Sequence, residues 1–138
     1  VVLNDVPPGE TVAGAPAVPI KFLGNYVHPS FVYGENLKIG KFNNIHEGVV
    51  VGKDVNICSF VELKKDTVFG DRVYVDSGVK SSGECRIGND VTLGYDVTLA
   101  AGIEICSGTI IGSKSNVKKS ILEPGIYAGN PARMLENR

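Results

Sequence analysis

An apolar residue recurs at every sixth position from Val27 to Val117, and no other feature restricts the fold so sharply. The column runs Val27, Tyr33, Ile39, Ile45, Val51, Ile57, Leu63, Phe69, Val75, Ser81, Ile87, Leu93, Leu99, Ile105, Ile111 and Val117, and only Ser81 breaks it. Two residues earlier a second inward column passes through Phe31, Leu37, Val49, Val55, Val61, Val73, Val79, Cys85, Val91, Val97 and Ile103, with Asn25, Asn43 and Ser115 as its strongly polar members. Two apolar residues flanking one outward residue are the signature of a short β-strand. Glycine often follows the ladder residue (Gly34, Gly40, Gly52, Gly70, Gly88, Gly94, Gly112), and Asn, Asp or Gly recurs two positions later. Both sets suit the left-handed or tight backbone of a corner.

A helix does not fit. The period is not 3.6, β-branched residues dominate, and each glycine in a helix interior would cost about 1 kcal/mol. Strands this short cannot bury a sandwich core. What remains is an all-β parallel solenoid, in which three units make a triangular coil and residues eighteen apart stack at about 4.8 Å. Residues 25–117 then supply about five coils. Ser81, buried in the ladder, requires a backbone partner.

Fourteen basic residues against fifteen acidic ones leave a formal charge of -1. There is no basic stripe for a phosphate backbone, so nucleic acid is not an expected partner. No apolar run is long enough to span a bilayer, and no signal-like segment is present, so no membrane association is expected. Cys58, Cys85 and Cys106 are too few and scattered for a disulfide framework, and their odd count suits a reducing compartment, with the cytoplasm as the default. The expected organisation is an N-terminal arm at 1–24, a β-helix at 25–120 and a terminating Pro/Gly segment at 121–138. The Pro/Gly-rich stretch at 6–17 duplicates that terminating pattern, and reads either as a fragment of an upstream terminator or as an arm packed on the first coil.

Units such as Ile39-Gly40, Val51-Gly52-Lys53-Asp54-Val55, Ile87-Gly88-Asn89-Asp90-Val91 and Ile111-Gly112 resemble the hexapeptide repeat of left-handed β-helix acyltransferases. The likeness covers about residues 27–133 and includes the closing Pro124-Gly125 turn and Gly129-Asn130-Pro131-Ala132 segment. Left-handed winding is implied by this resemblance, because the general rule for parallel crossovers favours the right hand. It further implies acetyl-CoA or another acyl-CoA as co-substrate, and a homotrimer with active sites between subunits. Segments 60–67 and 75–83 look like stretches of nucleotide-sugar N-acetyltransferases, which implies the amine of a nucleotide-linked amino sugar as acceptor. A non-catalytic scaffold is the alternative. No metal is expected, since the related trimeric carbonic anhydrases need three histidines around zinc and this chain has two.

The outward positions that follow the ladder on the face of Val27 are His28, His46, Lys64, Ser82, Ala100 and Lys118. The two histidines therefore stack on adjacent coils. An imidazole is a natural general base near neutral pH, and His46 is the better candidate because the segment around His28, Tyr26-Val27-His28-Pro29-Ser30, resembles the ordinary opening coil of many hexapeptide proteins. Its ring could be oriented by Glu47 or by a backbone carbonyl. The resemblance leaves open an asparagine in the catalytic role, for which Asn43 and Asn44 are available. Along the family's acyl-CoA groove, Ala100, Ala101 and Gly112 would give way to the pantetheine arm. Lys118 and Lys119 would meet phosphates, and Arg133 would reach the 3'-phosphate. His46 and Lys118 lie four coils apart, about 19 Å, comparable in reach to an extended arm. No insertion interrupts the register between 25 and 117, so no acceptor-binding loop is expected there.

Overall fold

The inward columns become the core. Nearly every two-residue strand buries its second residue and leaves its first outward, as the six-residue period requires. The structure, a computed structural model, describes residues 22–137 and the backbone of 11–12 and 15–16. There β1 (Thr11–Val12) pairs antiparallel with β2 (Ala15–Pro16). The rest of the duplicated Pro/Gly motif lies outside the described residues.

Three parallel ladders form the prism. The first flank stacks β3 (Tyr26–Val27), β5 (Asn44–Ile45), β8 (Glu62–Leu63), β11 (Lys80–Ser81), β14 (Thr98–Leu99) and β17 (Asn116–Val117). The second stacks β6 (Val50–Val51), β9 (Val68–Phe69), β12 (Arg86–Ile87) and β15 (Glu104–Ile105), extended by bridges from Val50 to Val32 and from Ile105 to Ile121. The third runs from β4 (Lys38–Ile39) through β7 (Asn56–Ile57), β10 (Tyr74–Val75), β13 (Thr92–Leu93) and β16 (Ile110–Ile111) to β18 (Gly125–Gly129). Partners are eighteen residues apart among the strands from β3 to β17, as with Asn44 and Glu62. The winding is left-handed, over about six turns. That exceeds the expected five because stacking continues past Val117: Ile126 pairs with Ile110, and β19 (Ala132–Asn137) folds back antiparallel on β18.

The interior is largely aliphatic, with Ile45, Val49, Val61, Leu63, Val75 and Leu99 all 0% exposed. Each such side chain contributes roughly 1.5–3 kcal/mol relative to exposure. Tyr33 departs from the expected inward column. It is partly exposed and packs edge-on against Phe22 and stacked on Phe31, which together close the open first coil. Ser81 has the expected backbone partner, the Gly83 N–H at 3.2 Å, and a second bond to the Thr67 hydroxyl.

The two glycine positions do different work. Every corner residue in the register from Asn36 to Lys114 is left-handed, including Phe42, Phe60, Arg72, Glu84 and Lys114, which the Asn/Asp/Gly pattern did not anticipate. The glycines directly after the ladder are not left-handed. A Cβ on Gly52 would strike the Asp71 carboxylate, one on Gly70 Asn89, and one on Gly88 Ser107. Those side chains fold over the coil below to accept from its corner N–H groups, as Asp71 does from Lys53 at 3.0 Å. Close approach between coils, rather than backbone freedom, fixes glycine there.

Candidate active site

The first flank carries the outward strand residues Tyr26, Asn44, Glu62, Lys80, Thr98 and Asn116 in one stack. His46 follows β5, and Glu62 lies on β8 one coil along. The His46 Nε2 stands 3.0 Å from Glu62 Oε2, with both side chains about one-third exposed (35% and 29%). A carboxylate can only accept, so in the neutral ring this bond assigns the proton to Nε2 and the lone pair to Nδ1. Glu62, not Glu47, orients the ring; Glu47 points into solvent. Asn44 donates from Nδ2 to the same Glu62 oxygen at 3.5 Å, while its Oδ1 is buried with no hydrogen-bond partner among the described residues.

The neighbouring candidates resolve differently. Asn43 is 2% exposed and fully engaged: Nδ2 donates to the Cys58 carbonyl and Oδ1 accepts from the Val61 N–H. With Asn25 it forms a polar ladder that holds the corners together. His28 sits beside His46 on the previous coil, but its Nδ1 accepts from the Ser30 N–H at 3.1 Å. Cys58 contacts the Tyr74 hydroxyl at 3.4 Å; that hydrogen bond, with Asp76 adding to it, pushes the Tyr74 hydroxyl up to about 12.

At the far end of the stack a cleft of about 510 Å³ is lined by Lys118, Lys119, Ser120, Tyr127, Pro131 and Arg133 among others. The three cations singled out in the sequence thus meet around one space. Glu123 shares it, and burial together with Glu123 raises the Tyr127 hydroxyl above its ordinary value, so it stays neutral. Ala100 and Ala101 lie on the first flank one coil before Lys118. Gly112 does not join them: it belongs to the third flank, where it packs under Ala128 of β18. Among the described residues no group of three His, Cys, Asp or Glu side chains could hold a metal ion, and no helix is long and apolar enough to cross a membrane.

No family model matches the sequence, and no curated protein matches it. Solved structures do. The acetyltransferase domain of PglB from Neisseria gonorrhoeae, in complex with acetyl coenzyme A, superimposes with a TM-score of 0.80 at 23% identity, covering 82% of this chain and 55% of that one. AntD, an N-acyltransferase from Bacillus cereus in complex with dTDP and 3-hydroxybutyryl-CoA, gives 0.76 at 19% identity over 84% and 78%. The chain has the fold of the left-handed β-helix acyltransferases. It spans about half the length of the PglB domain chain. A perosamine N-acetyltransferase from Caulobacter crescentus, in complex with CoA and GDP-perosamine, also matches, at a TM-score of 0.56 and 20% identity over 80% and 56%.

Within the left-handed β-helix the residue that sequence reasoning missed is Glu62. The signal was available. A residue just after the ladder on one coil faces the outward strand residue of the next, sixteen positions on, which pairs His46 with Glu62 as it pairs Cys58 with Tyr74.

Proposed function

We propose that the protein transfers an acyl group from acyl-CoA to an amine, with His46 as general base and the amino group of a nucleotide-linked sugar as acceptor. The observation that carries this reading is the His46–Glu62 pair, which leaves the imidazole Nδ1 free on an open flank four coils from the Lys118–Lys119–Arg133 cleft. The acyl-CoA ligands of the PglB domain and AntD, and the nucleotide ligands of AntD and the perosamine enzyme, support the choice of substrates.

The amine attacks the thioester carbonyl, forming a C–N bond while His46 Nδ1 takes the amine proton. Glu62 stabilises the resulting imidazolium. As the tetrahedral centre collapses the C–S bond breaks, and the imidazolium returns its proton to the sulfur, releasing CoA as the thiol. Asn44 donates to Glu62 and its Oδ1 is buried, so its part is to position the carboxylate rather than to meet the oxyanion. A backbone N–H of the flank is then the expected oxyanion donor. Lys118, Lys119 and Arg133 bind the CoA phosphates, and Ala100 and Ala101 leave room for the arm; Gly112, on another flank, would serve only across a subunit boundary.

We further propose a homotrimer, with the first flank facing a groove between subunits, working in the cytoplasm where acyl-CoA is found. Calorimetric titration with CoA tests the reading. Binding that weakens roughly tenfold on Lys118→Ala and on Arg133→Ala would support it; no binding by the native trimer would defeat it.

A further inference from the structure

Phe42 and Phe60 occupy the same corner of successive coils, where the third flank turns into the first, and both are left-handed (φ 61° and 59°). The left-handed backbone is common to this corner register, but at these two positions it carries a bulky aromatic side chain, for which it is an outlier. The two rings stack on each other, 5.2 Å between centroids and 17° from parallel, yet remain 67% and 59% exposed. Residues of this size, strained and solvent-facing, do nothing for the core.

The positions on either side of the pair are glycines. Over Gly24 lies the stem of Lys41, within 2.8 Å of where a Cβ would stand. Gly78 contributes no side chain beyond Phe60; the Asp96 carboxylate lies over Gly78, where a side chain would stand, and the Phe60 ring stays largely exposed beside it. Lys80 stands in register with Glu62 and donates from Nζ to the Phe60 carbonyl at 3.4 Å, which sets its ammonium on the Phe60 side of Glu62. From Phe60 the flank thus offers an aromatic ring, then the Lys80 cation beside its carbonyl, then Glu62 with the His46 base that it holds.

That order matches a nucleoside diphosphate-linked sugar: planar base, diphosphate, amine. We infer that Phe42 and Phe60 are the stacking platform for the nucleobase of the acceptor, that Lys80 meets its diphosphate, and that the amine is thereby delivered to His46. The inference rests on the acyl-transfer reading above and names where its acceptor binds. Every base has a π-face, so the platform selects for a nucleotide without choosing among bases.

The test is calorimetry with uridine, guanosine and thymidine diphosphates, inorganic pyrophosphate and CoA, on the native protein, the Phe42→Gly/Phe60→Gly double variant and Lys80→Ala. Glycine takes a left-handed backbone without steric strain, and a thermal melt of the double variant checks that it keeps its fold. Expected is nucleoside diphosphate binding that falls about tenfold or more in the double variant, with pyrophosphate and CoA affinity unchanged. Lys80→Ala should weaken nucleoside diphosphate and pyrophosphate together. Equal nucleotide affinity in the double variant, or no nucleotide binding by the native protein, would overturn the platform. So would a changed sedimentation coefficient of the double variant, which would mean that a second copy covers the rings. CoA binding in the same titrations separates a failure of the platform from a failure of the acyl-transfer reading.

Discussion

The first and second flanks share one backbone geometry and one period, but their positions after the ladder are opposite in character. On the second flank these are Gly34, Gly52, Gly70, Gly88 and, on the last coil, Cys106; the glycines are roofed by the next coil, with Asp71, Asn89 and Ser107 standing over the last three of them. On the first they are His28, His46, Lys64, Ser82, Ala100 and Lys118. Where a side chain folds back to satisfy a corner N–H the residue beneath it is usually glycine, with Cys58 under Ser77 the exception. Where that roof is missing, the fold leaves a position free for chemistry. The flank proposed as catalytic carries no such glycine.

Substitutions at matched positions can break this contrast. His46→Ala should lower transfer by about 10²–10⁴-fold while shifting stability by no more than roughly 0.5 kcal/mol; steady-state rates and thermal melts of the same sample give both. Gly52→Ala, at the equivalent position of the second flank, should do the reverse. Its Cβ meets the Asp71 carboxylate, and overpacking of this kind costs roughly 1–3 kcal/mol. Asp71→Ala in the same chain should recover part of that loss, and an additive cycle would count against the roofing explanation. The adjacent asparagines sharpen the point. Asn43→Ala strips the buried Val61 N–H of its acceptor, a loss of about 1–3 kcal/mol in denaturant melts, whereas Asn44→Ala should slow transfer with little change in stability.

Smaller effects belong to the corners. Phe60→Gly relieves a left-handed phenylalanine and should leave the melting temperature unchanged or slightly higher, although glycine also enlarges the unfolded ensemble. The exposed Arg72–Asp90 pair, at 2.7 Å, holds the Asp90 carboxyl below its ordinary range and raises Arg72. Its contribution is present above the usual aspartate value of about 3.9 and is lost as pH falls through the depressed folded value. Asp90→Asn should therefore lower the melting point slightly at neutral pH and low salt, and not at strongly acid pH.

Much of the fold was legible because a six-residue ladder admits one solution: both inward columns, the corner register and the eighteen-residue stacking are present as the period implies. Tyr33 was not, because a column position at the open end of a stack has no coil to bury it. Nor were the left-handed Phe42 and Phe60, since only Asn, Asp and Gly announce that conformation in sequence. Of the candidate site, the stacking of His28 and His46 and the meeting of Lys118, Lys119 and Arg133 follow from the same arithmetic or from the closing hairpin. Glu62 went unread because the contact crosses coils diagonally, sixteen residues apart, while the repeat draws attention to eighteen. Gly112 was grouped with Ala100 and Ala101 by its small size, although its register puts it on another flank.

The most direct test is the release of CoA thiol from acetyl-CoA in the presence of a nucleotide-linked amino sugar, compared between native protein and His46→Ala at equal acetyl-CoA saturation. The native protein should release one thiol per N-acetylated product, and His46→Ala should bind acetyl-CoA with unchanged affinity yet release thiol at least about 100-fold more slowly. Equal rates in the two proteins, or no acyl transfer by the native one, would contradict the assignment of the first flank as the catalytic surface.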